Sequence, residues 1–300
     1  MQYVFDEDNK KYLDLVAGIC TVSCGHANPR INEVLKVQSE KLWHCTNVFV
    51  HQPVHEYAKK LVSKFPTETG LKRVFFVNSG SEANDLAVIM AKKFTQKSET
   101  LSLTNAYHGM TLGSQTLNGL ASWRHDVGKV GGHSFVQSAD VYRGFWGGAK
   151  CRDCVVDMDT EHKGAERVCE CGTGGKCIAR ENYGTLFDNC LKYQIGKNSL
   201  AGLWVECIQG VGGTTQFPRG WLKDCAMKVK HGGGLVICDE VQTGFGRTGE
   251  YFWGFEGEGF VPDIVVLAKG IANGFPMGAV VTTDEIAESL GGMVNTENYK

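Results

Sequence analysis

The chain has 300 residues, 42% of them hydrophobic, enough to bury a large core in one or two domains. A formal charge of −2, with basic residues spread along the chain, leaves no electrostatic footprint for nucleic acid or an anionic membrane. No apolar run approaches the ~18 residues a membrane span needs, and twelve cysteines are too few for a disulfide scaffold.

Taken in chain order, Tyr3-Val4-Phe5 and Lys11-Tyr12-Leu13-Asp14 predict a short hairpin, followed by a helix near 30–42. Arg73-Val74-Phe75-Phe76-Val77 predicts a strand, then Asn78-Ser79-Gly80-Ser81-Glu82-Ala83-Asn84 leads into a helix over 83–97. A strand, a tight Gly/Ser turn and a helix start together make an anion site, because the first helical N–H groups lack an internal partner. The same residues also fit a plain Ser-capped helix with Glu82 in its first turn. A strand at 100–104 is followed by Ala106-Tyr107-His108-Gly109, which puts an aromatic at a strand end, where it can stack on a ring.

Tyr142-Arg143-Gly144-Phe145-Trp146-Gly147-Gly148 precedes a group of five cysteines: Cys151, Cys154, Cys169, Cys171 and Cys177. The pattern CxxC then C-x-C-x5-C leaves a metal site, a disulfide or free thiols open, and it lacks the second CxxC of a regular zinc site. The other cysteines are dispersed, mostly in apolar contexts where a free thiol packs as a small hydrophobe.

The most informative stretch comes last. A strand at 201–206 runs into Glu206-Cys207-Ile208-Gln209-Gly210, and a helix covers 219–231. Gly234-Leu235-Val236-Ile237-Cys238 reads as a buried strand ending at Asp239, within Asp239-Glu240-Val241-Gln242-Thr243-Gly244. A second buried strand, 263–268, ends at Lys269-Gly270, and a further strand follows at 278–283. This βα alternation predicts an α/β fold with a parallel sheet and helices on both faces. Strand-end Asp and Lys groups then reach one side of the sheet, where ligands bind in open α/β folds. A lysine for a Schiff base and an aspartate for a pyridinium N–H are what pyridoxal 5′-phosphate (PLP) needs.

These motifs, with Gly25-His26-Ala27-Asn28-Pro29, resemble the class III (ω-) aminotransferases of PLP fold type I, over essentially the whole chain. Within that class the nearest likeness is to the alanine–glyoxylate aminotransferase 2 and ethanolamine-phosphate phospho-lyase group. The resemblance implies PLP as cofactor, with Lys269 carrying it covalently and Asp239 pairing with the ring nitrogen. It implies Gln242 near the ring hydroxyl, Tyr107 stacked on the ring with His108 beside it, and Gly80 with Ser81 on the phosphate. Ile19 and Cys20 are candidates for an apolar substrate wall, and Glu206 and Arg143 for polar substrate contacts. Val211 stands where many class III enzymes carry a Glu that pairs with their carboxylate-binding arginine.

By the same resemblance, residues 1–50 belong to a smaller domain, and 51–300 form the PLP-binding domain with a Cys-rich insertion at about 143–180. The family's C-terminal domain, with its donor to the neighbouring subunit's phosphate, is expected to be missing, and no presequence is visible. The implied activity moves an amino group from alanine or a similar amino acid to glyoxylate or pyruvate, in a homodimer or larger oligomer. Two alternatives stand beside it: a PLP-dependent phospho-lyase acting on a phosphorylated amino alcohol, and an inactive short form. The mitochondrial matrix is the implied location, with the cytoplasm as the alternative.

Overall fold

Short runs rich in branched apolar residues become strands here, and the amphipathic stretches between them become helices. The structure is a computed structural model that describes residues 1–46, 48–127, 131–147 and 177–291. Cys151, Cys154, Cys169 and Cys171 lie outside the described residues, as does most of the insertion expected at 143–180.

The strands are β1 (Tyr3–Phe5), β2 (Lys11–Leu13), β3 (Arg73–Val77), β4 (Glu99–Leu103), β5 (His133–Val136), β6 (Leu200–Val205), β7 (Leu235–Asp239), β8 (Ile264–Leu267) and β9 (Gly278–Thr282). The helical elements are α1 (Ala17–Cys20, a single distorted turn), α2 (Pro29–Ser39), α3 (Gln52–Val62), α4 (Gly80–Thr95), α5 (Ile178–Tyr193), α6 (Trp221–His231), α7 (Gly254–Glu258) and α8 (Asp284–Ser289). The expected hairpin forms as β1 paired with β2. Seven strands make the main sheet in the order β3-β9-β8-β7-β6-β4-β5. Strands β5, β4, β6, β7 and β8 run parallel, while β9 runs antiparallel to both β3 and β8.

Strands β6, β7 and β8 are buried along their whole length, as expected of central parallel strands covered on both faces. Alternate residues serve the two faces. Leu235 and Ile237 pack with Ala83, Ala87, Met90 and Ala91 of α4, whereas Val236 and Cys238 pack with the core that includes Phe187 of α5 and Trp221 and Leu222 of α6. Ser79 caps α4 by accepting the Glu82 N–H at 3.1 Å, and the helix stops at Gln96 in the left-handed region. Gly278 is needed where β9 passes beneath this turn, because a Cβ there would lie 2.4 Å from the Ser79 carbonyl oxygen.

Six elements were not anticipated in the sequence: β5 and the helices α1, α3, α5, α7 and α8. β5 joins the sheet at its edge, where His133 bonds the hydroxyls of Thr100 and Ser102 at 2.7 and 3.0 Å. The N-terminal segment is tied to the sheet through the loop that follows β8. Asn273 Oδ1 accepts the Cys24 N–H at 2.8 Å, and Tyr57 donates to the Ile271 carbonyl at 2.6 Å.

Glu240, fully buried just past β7, anchors the chain on the other face of the sheet. Its carboxylate accepts the N–H groups of Gly254 and Phe255 at 2.9 and 2.8 Å and the Thr243 hydroxyl at 2.6 Å. Removing it strands two buried N–H groups, each costing about 1–3 kcal/mol. Glu240→Ala is therefore expected to lower unfolding stability by about 3 kcal/mol in a urea melt. A loss below about 1 kcal/mol would show that this network does not hold α7 in place.

Candidate active site

The C-terminal ends of β6, β7 and β8 converge with the start of α4 on a cleft of about 170 Å³. Gly80, Ser81, Tyr107, His108, Glu206, Asp239, Gln242 and Lys269 all line it. Eight of the candidate residues from distant parts of the sequence are thus brought together. Ile19, Cys20 and Arg143 are not among the lining residues. Ile19 and Cys20 sit on α1, where Ala17 through Cys20 all have positive φ, and Ile19 is exposed. Arg143 is exposed on a turn, with its guanidinium 5.7 Å from the centroid of its neighbour Tyr142.

Asp239 is the hub of the cleft, at 4% exposure. Its Oδ2 accepts from Asn84 Nδ2 at 3.0 Å and from His108 Nδ1 at 2.8 Å, and its Oδ1 accepts the Val241 N–H at 3.1 Å. Because a carboxylate only accepts, the His108 tautomer is fixed with its proton on Nδ1. Two further bonds set His108 in place: its N–H donates to Asn118 Oδ1 at 2.7 Å, and its carbonyl accepts from Asn84 Nδ2 at 2.7 Å. Asn84 and Asn118 were given no role from the sequence. The available signal for Asn84 was its place one helical turn after Gly80 in the same motif.

Lys269 follows β8, and the β7–β8 register pairs Asp239 with Val266 three residues earlier. It adopts φ 51°, a left-handed conformation that places its side chain in the cleft rather than continuing the strand. Burial pulls its amine below the usual lysine range, while Asp239, Cys20 and Glu206 push back toward the charged form. The net direction favours a free amine, the form that attacks carbonyl carbon.

The start of α4 supplies the third corner. Ser79 is spent on capping, so the capped-helix expectation holds, and the turn still presents Gly80 and Ser81 to the cleft. Ser81 Oγ accepts the Met110 N–H at 3.0 Å, which draws the Tyr107–Met110 loop against the helix. Gly109, at φ 133°, is required there, since a Cβ would meet Ser81 Oγ at 2.5 Å. The Tyr107 ring packs edge-on to Trp123 at 5.3 Å. Burial, then Asp239, raises its phenol above the usual range, so the hydroxyl stays neutral.

Cys207 and Cys238 lie on the opposite face, with their sulfurs 3.5 Å apart and Glu240 beside them. Burial pushes the Cys207 thiol up to about 12 and Cys238 well above its usual value. Both pack as neutral thiols, and Glu240 is already occupied by α7.

The sequence profile of the family described as aminotransferase class III matches residues 2–143 and 178–296. The chain belongs to the class III aminotransferases. This class III chain is 44% identical to human mitochondrial alanine–glyoxylate aminotransferase 2 over 290 residues, covering 97% of itself and 54% of that relative. It is 35% identical to ethanolamine-phosphate phospho-lyase homolog 1 of Caenorhabditis elegans, covering 99% of itself and 60% of that relative. It therefore spans little more than half the length of these relatives. Among solved structures it superposes on taurine:2-oxoglutarate aminotransferase from Bifidobacterium kashiwanohense, solved with PLP and glutamate, with TM-score 0.83 and 26% identity, covering 98% of this chain and 60% of that one. A PLP-bound amine transaminase from an uncultivated Pseudomonas species gives TM-score 0.81 and 27% identity, covering 96% and 61%.

Proposed function

We propose that this class III chain carries a PLP-dependent aminotransferase site, moving an amino group from alanine or a similar amino acid to a glyoxylate- or pyruvate-type keto acid. One observation supports this above the rest: Asp239 and Lys269 leave adjacent parallel strands and line one cleft with the start of α4. The donor set fits the cofactor. An oriented carboxylate suits a pyridinium N–H, a helix start with Ser81 suits a phosphate, and an amine below its usual range suits an aldehyde. Bound there, PLP supplies an electron sink for the pair left when the substrate Cα–H bond breaks.

The residues of the chain do the rest. Asp239 Oδ1 and Oδ2, fixed by the Val241 N–H, Asn84 and His108, hold negative charge where a ring nitrogen must keep its proton. Lys269 Nζ would hold the cofactor's aldehyde and, once freed, would serve as the general base for the substrate Cα proton. Tyr107 lines the cleft and would stack on a ring bound there, excluding water from that face. Gln242, packed so tightly on Gly210 that a Cβ there would overlap its amide, is the candidate for the ring hydroxyl.

The phospho-lyase reading draws on the Caenorhabditis elegans relative. A phosphorylated substrate calls for extra cations, and among the described residues lining the cleft Lys269 is the sole cationic side chain. Arg124 lies over the Phe135 ring at 4.9 Å and Arg143 is on the surface. Incubation with PLP and alanine plus glyoxylate should yield pyruvate, and phosphoethanolamine should release no phosphate. Phosphate release without pyruvate would overturn the aminotransferase reading.

We further propose that residues 1–50 form part of a smaller domain and that the protein is a homodimer. The exposed Trp43, Val50 and Leu15, at 84%, 84% and 85%, support a covered N-terminal face. A purely monomeric sedimentation profile would count against the dimer. The mitochondrial names of the relatives support a matrix location, which imaging of the tagged protein tests.

A further inference from the structure

Asp239 is one of two acidic side chains lining the cleft among the described residues, and Glu206 is the other. Glu206 follows β6 at 5% exposure and makes no ion pair with a lysine or arginine among the described residues. Its Oε2 accepts the Tyr107 N–H and its Oε1 the Gly210 N–H, both at 3.2 Å. One carboxyl thus fastens two loops, one carrying the candidate ring-stacking residue and the other supporting Gln242. Both donors are neutral backbone N–H groups, so neither brings a cation to offset the burial of this carboxyl.

The charged and titratable groups around Glu206 come from three elements. Asp239 stands at the end of β7, His108 and Tyr107 lie on the loop after β4, and Lys269 follows β8. Burial, reinforced by Asp239, pushes the Glu206 carboxyl up to about 7, against the opposing pull of His108 and the two N–H bonds. In return, an ionised Glu206 raises the proton affinity of the Lys269 amine. Glu206 and Lys269 line one small cleft, so the charge on the carboxyl bears on the proton of the amine.

We propose that Glu206 is a positioning residue whose proton, linked to that of Lys269, sets the pH at which the Lys269 amine is free to capture a carbonyl ligand. Neutral Glu206 leaves the amine less basic, so it sheds its proton and becomes a free nucleophile at lower pH. Ionised Glu206 holds the amine in its ammonium form to higher pH. The capture step rests on the PLP reading above, whereas the Glu206 titration does not.

The test is a pH series of PLP capture by the full chain without cofactor, followed by tryptophan fluorescence, for wild type and Glu206→Gln. The glutamine keeps the size and one acceptor but is permanently neutral. The expected result is a midpoint for capture moved down by roughly 1 pH unit in the variant. Capture weakened equally at every pH, with the midpoint unmoved, would reduce Glu206 to a structural tie and overturn the proposal. Infrared titration of the same cofactor-free chains provides a measurement independent of PLP. The wild type should show a neutral carboxyl band, lost near neutrality, that is absent from the Glu206→Gln difference spectrum. No such band at mildly acidic pH would also overturn it. A wild type that captures no PLP at any pH would defeat the PLP reading, and the infrared result alone would then decide the state of Glu206.

Discussion

Replacing Lys269 with alanine is expected to abolish the visible band of the cofactor-loaded protein and to slow transamination by about 10⁴-fold or more. Two functions disappear together, covalent capture and proton transfer at Cα, and general acid–base catalysis alone contributes about 10²–10⁴-fold. No other lysine lines the cleft among the described residues, so a neighbour is not placed to substitute. The cost to folding should be small, because the side chain is half-buried and no hydrogen bond or ion pair of its ammonium holds the fold among the described residues. Single-turnover conversion of alanine to pyruvate checks the rate. Turnover within a few fold of wild type would remove Lys269 from the chemistry.

The second large effect belongs to Asp239→Asn. The amide keeps the shape but removes the negative charge and turns an NH₂ group toward donors already supplied by Asn84, His108 and Val241. Cofactor should still bind through the start of α4 and Lys269, while the half-reaction with alanine slows by about 10²–10⁴-fold. The donors that face the new NH₂ lose their acceptor, at a stability cost of about 1–3 kcal/mol. A rate close to wild type would show that no charge is needed opposite the ring nitrogen.

Much of this site could be read from residue order because its parts are short and punctuated. Residues 235–238 and Ile264–Leu267 are apolar at every position, and such runs can only be central strands once helices flank them. Their polar ends then fall at one edge of the sheet. What stayed hidden has physical reasons. The period of two in Gly278–Thr282 is identical in either direction, so nothing local marks β9 as antiparallel. His133–Val136 is short, and His133 finds its partners only once β4 is beside it. The Ala17–Cys20 turn places non-glycine residues in the left-handed region, which no composition rule anticipates. Arg143 illustrates the limit for side chains: its charge suits a carboxylate, but the turn after Asp140 leaves it on the surface. Asn84 was overlooked because its work, bonding Gly80, His108 and Asp239 at once, exists only in three dimensions.

The central claim is that PLP is held covalently at the end of β8, opposite Asp239. Borohydride reduction of the cofactor-loaded protein, followed by proteolysis and mass mapping, tests it directly. The account predicts a single phosphopyridoxyl label on Lys269; a label confined to Lys92 of α4 or Lys228 of α6 would contradict it.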